Sequence, residues 1–248
     1  MSSNLCSIVR LFEPWRQHIF RPPHGSGALR RSSTACTRRD LITFMAPVPD
    51  AHVRAASLIG ESESVVLSRL DQAAFRRRSA ELIEVYLTAM NYPADLAGAR
   101  SALWEEHSHR AGFSCVVATD GDRITGLAYG YHGAPGQWWY AEVRRGVRSA
   151  ADQELADFFE LTELHVHPDW QGHGLGEALL RELAGDRPER RILLSTPEGE
   201  NRAWRLYRRL GFTDVLRHYR FTGDPRPFGV LGRDLPLPPP LSKRPAPD

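Results

Sequence analysis

The sequence predicts an α/β fold, one mixed sheet with helices on both sides. Three observations point there. Short apolar runs bounded by Gly, Pro and Asp alternate with segments whose apolar residues recur at helical spacing. One junction, "HPDWQGHGLG" at 167–176, sets a glycine loop between a strand and an apolar helical pattern. The 248 residues, 42% hydrophobic and 25% charged, suffice for one sizeable core with tails.

Residues 1–56 hold Pro-Pro, Gly-Ser-Gly and Arg-Arg and no sustained period. Up to Met45 there are seven arginines against two acids, Glu13 and Asp40. The segment reads as a disordered leader, or as sequence upstream of a start at Met45; an Arg/Ser-rich transit peptide is the alternative. Ser64–Arg69 is a short strand. Asp71 caps a helix carrying Leu82, Ile83, Tyr86, Leu87 and Met90 at helical spacing, and Pro93 ends it. A second helix covers about 95–110. Phe113–Thr119 and Arg123–His132 pair as strands through the Asp120-Gly121 turn. Residues 133–157 form an insert with a short helix. The strand Phe158–Val166 follows, then the glycine loop and a helix over about 174–185. Arg191–Thr196 is a strand, and Asn201–Leu210 a helix closed by Gly211. Phe212–Phe221 and Phe228–Asp234 are the last strands. Beyond Leu235 the tail "PLPPPLSKRPAPD" is Pro-rich, extended and expected to be disordered, with an SH3-type ligand as the alternative.

Composition excludes several classes. No run of 18 apolar residues exists, so no membrane span is indicated. A net charge of +2 makes no case for nucleic acid. The basic residues are 31 arginines and one lysine, Lys243. A lysine in the tail leaves none for a Walker loop and argues against a Schiff base. Cys6, Cys36 and Cys115 are scattered and odd in number, which fits a reducing cytoplasm and neither a disulfide framework nor a cysteine zinc site.

The glycine loop predicts an anion cradle. A helix N-terminus carries free N–H groups and partial positive charge, and glycines let a phosphate reach the main chain. A Rossmann dinucleotide site would need G-x-G-x-x-G and an acid ending the next strand. Here the spacing is G-x-G-x-G, and "RILLST" ends without an acid.

"LHVHPDWQGHGLGEALL" closely resembles the acyl-CoA-binding motif of the GNAT superfamily of N-acyltransferases. Gln171-Gly172-His173-Gly174-Leu175-Gly176 matches its Arg/Gln-x-x-Gly-x-Gly/Ala run, with Gln where Arg is commoner. Asn201 to Phe212, "NRAWRLYRRLGF", resembles the family's N-x-x-A-x-x-L-Y-x-x-x-G-F segment. The resemblance covers about 62–235 and implies a mostly antiparallel sheet of about seven strands. It implies a bacterial, small-molecule-type member of the family, cytoplasmic, with acetyl-CoA as co-substrate. It further implies that N–H groups of residues 171–176 hold the pyrophosphate and that Leu164, His165 and Val166 line the pantetheine arm. Asn201 would contact the cofactor. Tyr207 would lie near the thioester sulfur and protonate the leaving thiolate; the other reading of Tyr207 is a core residue on the face of Ala203, Leu206 and Leu210.

Acyl transfer to an amine needs a base, an oxyanion donor and an acid for the thiolate. A main-chain N–H, that of Val166, is a candidate oxyanion donor. Strand parity puts Phe159, Leu161, Glu163, His165 and His167 on one face and Glu160, Thr162, Leu164 and Val166 on the other. Glu163 is then the candidate base, at a place where many family members carry a glutamate, and His165 the second candidate; a polar residue satisfied at the sheet surface is the alternative for Glu163. His165, His167 and His173, or His107 and His109, suggest a metal site, but no third ligand recurs at metal spacing and His173 lies inside the anion loop, so no metal is expected. In the insert, Trp138, Trp139 and Tyr140 either stack on an acceptor or anchor the insert to the core, the reading we favour. Arg144, Arg145 and Arg148 fit an anionic acceptor or a solvated face. An insert covering the cleft favours a small-molecule amine acceptor. A protein amine and a non-catalytic acyl-CoA-binding module are the alternatives, and a homodimer is left open.

Overall fold

The computed structural model describes residues 54–55, 65–148 and 151–239. The leader up to residue 53, Cys6, Cys36, Lys243 and the tail beyond 239 lie outside them. The elements run β1 (Arg54–Ala55), β2 (Val65–Leu70), α1 (Gln72–Arg77), α2 (Ser79–Met90), α3 (Ala97–Ser108), β3 (Ser114–Asp120) and β4 (Arg123–His132). The insert supplies α4 (Trp138–Val147) and α5 (Ala151–Glu154). Then come β5 (Phe158–Val166), α6 (Leu175–Ala184), β6 (Arg191–Pro197), α7 (Arg202–Arg209), β7 (Thr213–Tyr219) and β8 (Phe228–Asp234).

The sheet order is β1-β2-β3-β4-β5-β6-β8-β7. Every pairing is antiparallel except β5 with β6. The seven expected strands are β2 to β8. The two-residue β1 adds to the free edge of β2, inside the stretch read as leader.

Helices cover both faces. On one, Phe75 of α1 and Trp104 of α3 pack on Tyr129 of β4, with ring centroids 5.3 and 5.2 Å away. On the other, Leu179, Leu180 and Leu183 of α6 and Trp204 and Tyr207 of α7 share a core with Val116, Ala128 and Leu194. Burying each large apolar side chain contributes about 1.5–3 kcal/mol.

Three local features bear on the sequence reading. The helix expected from Asp71 to Pro93 is two helices. Asp71 does cap α1, accepting from the Ala74 N–H at 2.6 Å. The chain then turns at Arg78, whose guanidinium holds Glu81 and the Asp122 carbonyl of the β3–β4 turn. The insert is anchored to the core, the reading favoured for its aromatic residues. Trp139, Tyr140 and Val143 join a core with Phe158, Leu193, Phe221 and Val230, and the Trp139 Nε1 donates to Ser195 Oγ at 3.0 Å.

The third feature is a β-bulge. Tyr129 lies opposite Glu163 and Gly130 opposite Leu161, so Thr162 is an extra residue in β5. Side-chain parity inverts there. Phe159 and Leu161 join the same core as Leu164 and Val166. Glu160 instead meets the Tyr131 hydroxyl, on the side of Glu163 and His165. The expected grouping of Phe159 and Leu161 with Glu163 is therefore corrected. Gly130 permits the bulge, since a Cβ there would sit 2.1 Å from the Glu160 carbonyl oxygen.

Candidate active site

Strand β5 pairs with β6 only over Phe158–Glu160. Beyond the bulge the pairing stops, and a cleft of about 460 Å³ opens against β5, the glycine loop, α6 and α7. Its wall includes Leu164, His165 and Val166 from β5, Tyr207 and Leu206 from α7, and Met90 from α2. The His167 N–H donates to Thr125 across to β4 at 2.8 Å. By strand alternation the main-chain groups of Leu164 and Val166 then point the other way, toward the open edge. The Val166 carbonyl on that side accepts from Gln171 Nε2 at 2.9 Å.

The loop ends in the N-terminus of α6, whose first-turn N–H groups have no intrahelical acceptor. Gly172 and Gly174 have φ of +93° and +82°, which disfavours any side chain, and a Cβ at either would meet nothing within 4 Å. Space is thus left over the main chain where a phosphate would lie. The Gln171 N–H is spent on the Pro168 carbonyl, so the available donors begin at Gly172. The Gln171 side chain braces the loop, its Oε1 accepting from Arg202 at 2.7 Å. Arg202, Arg205 and Arg209 of α7 also line the cleft, with Arg209 paired to Glu177 at 2.7 Å. The sequence reading missed them, although their spacing puts them on one side of α7.

Of the other expected residues, Leu175 and Gly176 line the cleft, whereas the exposed His173 does not. Asn201 is absent from the wall as well. Its Oδ1 caps α7, accepting from the Trp204 N–H at 3.0 Å. Gly211, with φ of +79°, closes α7, and the Phe212 N–H donates to the Tyr207 carbonyl. Tyr207 is therefore fixed from both ends of a short helix.

Glu163 and His165 touch each other, with His165 Nε2 2.6 Å from Glu163 Oε2. Arg100 of α3 donates to Glu163 Oε1 at 3.2 Å. Burial pushes the Glu163 carboxyl up, but the His165 hydrogen bond and the Arg100 charge outweigh it and hold the group below the usual carboxylate range. His165 lines the cleft and Glu163 does not. Burial, and then the Glu163 charge, push the Tyr207 phenol well above its ordinary value, so it stays protonated. Arg100 was not singled out from the sequence. The signal was there: a cation at helical spacing among Leu96, Leu103, Trp104 and His107.

Among the described residues, no group of three or more His, Cys, Asp or Glu is placed to hold a metal ion. Nor is any helix among them long and apolar enough to cross a membrane.

A family model described as an acetyltransferase (GNAT) domain matches residues 111–214. A GCN5-like protein acetyltransferase of Mycobacterium tuberculosis is 44% identical over 70% of this chain and 100% of its own length. Among solved structures, a protein of Desulfovibrio desulfuricans assigned to the GNAT acetyltransferases has a TM-score of 0.51 and 21% identity, over 68% of this chain and 98% of its own. A protein of Pyrococcus horikoshii has a TM-score of 0.50 and 18% identity, over 69% and 99%. At those identities the two structures speak for the fold.

Proposed function

The chain belongs to the GNAT family of acetyltransferases, and on that premise we propose that it transfers the acetyl group of acetyl-CoA to a primary amine within a ternary complex. One observation carries the reading: His165 and Tyr207 line the same cleft that ends on the N–H groups of α6. The pyrophosphate lies on those groups from Gly172 onward, and the pantetheine arm runs along the open edge of Leu164 and Val166. With its Nε2 proton donated to Glu163, His165 keeps the Nδ1 lone pair to take the proton of the attacking amine. Glu163 is committed to His165 and Arg100, so it acts through His165. The amine nitrogen bonds to the thioester carbon. The Val166 N–H stabilises the oxyanion, and the Tyr207 phenol protonates the leaving thiolate. The three scattered cysteines, with Cys115 buried and unpaired, fit a cytoplasmic setting.

The acceptor has two readings. A small-molecule amine was favoured by an insert covering the cleft; the insert's aromatic residues pack into a core with Phe158 and Phe221, and none of them lines the cleft beside His165 and Tyr207. A polypeptide amine is favoured by the mycobacterial relative, which is by name a protein acetyltransferase. The test is thiol release from acetyl-CoA over matched panels of small amines and of peptides with free lysine or N-terminal amines. Amine-dependent release supports the enzyme and separates the acceptors. Acetyl-CoA binding without release on any amine supports a binding module instead.

A further inference from the structure

We propose that Arg100 is a positioning residue of the acetyl-transfer site. Through Glu163 and Tyr86 it fixes the ring of His165 and sets the charge against which that ring works as a base. The inference rests on the proposed function and assigns a part of the site that does not touch the cleft.

Arg100 sits within the apolar stripe of α3, with only 13% of its side chain exposed. A guanidinium there carries a desolvation cost, offset only by close, well-oriented partners. It has them. Nη1 donates to Glu163 Oε1, Nη2 donates to the Tyr86 hydroxyl, and the guanidinium lies over the Tyr86 ring, 4.3 Å from its centroid. Both partners touch His165. Glu163 bonds its Nε2, and the Tyr86 ring stands edge-on to the imidazole at 5.0 Å and 80°. One cation thus holds two walls of the imidazole site from behind.

Two glutamates on the same side of β5 differ in their partners. Glu160 and Glu163 are both largely buried. Glu160 has the Tyr131 hydroxyl for a partner and no direct ion pair among the described residues, and burial pushes its carboxyl up to about 7. Glu163, with His165 and Arg100 against it, stays ionised below the usual range. An ionised Glu163 is what orients His165 with Nε2–H toward the carboxylate.

The groups facing this pair come from five elements. They are Glu160 and Glu163 on β5, Arg100 and His107 on α3, Tyr86 on α2, Tyr129 on β4 and Tyr207 on α7. Burial pushes all three phenols well up and His107 down to about 3, so none of these four carries charge near neutral pH. Arg100 and Glu163 do, and Glu160, whose charge acts on Glu163, ionises only near 7. Removing Arg100 deletes the positive member, and the Glu163–His165 pair then holds its proton more tightly.

The experiment uses the full chain as wild type, Arg100→Gln and Arg100→Lys. It reads the imidazole titration of His165 by NMR, together with kcat and KM for acetyl-CoA against pH. Arg100→Gln is expected to move the acid limb of the kcat profile to higher pH by about one unit, the effect of one nearby charge. On that limb kcat falls by up to about tenfold and recovers in alkali, while KM for acetyl-CoA stays within about twofold. Arg100→Lys restores most of the shift. An unchanged His165 titration in folded Arg100→Gln overturns the proposal, as does a loss equal at every pH that lysine does not rescue. If Arg100→Gln does not fold, the double variant Arg100→Gln/Glu163→Gln, which leaves no unpaired charge, is compared with Glu163→Gln. Equal kcat supports action through Glu163, and a further tenfold loss overturns it. A wild type that releases no thiol with any amine refutes the proposed function, while the His165 titration still decides the role of Arg100.

Discussion

Glu160→Gln should remove a pH dependence of stability that the wild type carries. Glu160 is 3% exposed, its Oε1 accepts from Tyr131 at 3.1 Å, and its Oε2 is buried without a partner. Burial raises its carboxyl to about 7 from an ordinary 4.5, against the pull of Arg110 and Tyr131. The unfolded chain releases this proton near 4.5, whereas the folded chain keeps it to about 7. The folded state therefore binds more protons between those values, and the contribution to stability is full below the lower one. It is lost as pH rises through the upper. Spread over that window, the loss is about 3 kcal/mol as an order of magnitude. Gln keeps the shape and the acceptor for Tyr131 but cannot ionise. Urea unfolding followed by tryptophan fluorescence at pH 5, 6, 7 and 8 compares the two proteins, so that groups common to both cancel. The stability of Glu160→Gln relative to wild type should rise by about 2–3 kcal/mol from the lowest to the highest pH. A difference that stays flat would refute the reasoning.

Tyr207→Phe keeps the ring against Phe212 at 5.5 Å but removes the proton donor. It should lower kcat about a hundredfold with KM for acetyl-CoA unchanged, and an unaffected kcat would return Tyr207 to a core role. Trp139→Phe loses the bond to Ser195 and part of the packing under the insert. A thermal melt should show a cost of about 1–3 kcal/mol with kcat unchanged. A loss of kcat at undiminished stability would place the insert in the acceptor site after all.

The parts legible in the sequence are those set by local pattern. Arg123–His132, Phe158–Val166 and Phe228–Asp234 are strands with the expected ends, because turn signals bound each run. The glycine loop was legible because positive φ leaves glycine as the residue of choice. What failed depended on the neighbouring chain. The bulge at Thr162 is a property of the β4–β5 pair, and its trace in the sequence was Gly130 on the partner strand rather than anything in β5. Strand parity therefore placed Glu163 beside His165 correctly, while misplacing Phe159 and Leu161. Asn201 carries the motif position, yet in this structure its oxygen is engaged in capping α7. Arg100 was hidden because its partner is 63 residues away, and helical spacing gives the face of a charge without what it meets.

The most direct test is a calorimetric titration of acetyl-CoA into the wild type and Gly174→Ala. The residue caps α6 at φ of +82°, and a Cβ there has open space in the free protein. The substitution should cost roughly 1–2 kcal/mol of backbone strain. The account predicts one acetyl-CoA per chain for the wild type and at least tenfold weaker binding for a folded Gly174→Ala. No binding by the wild type, or equal affinity in both, would contradict the assignment of this loop as the cradle of the co-substrate.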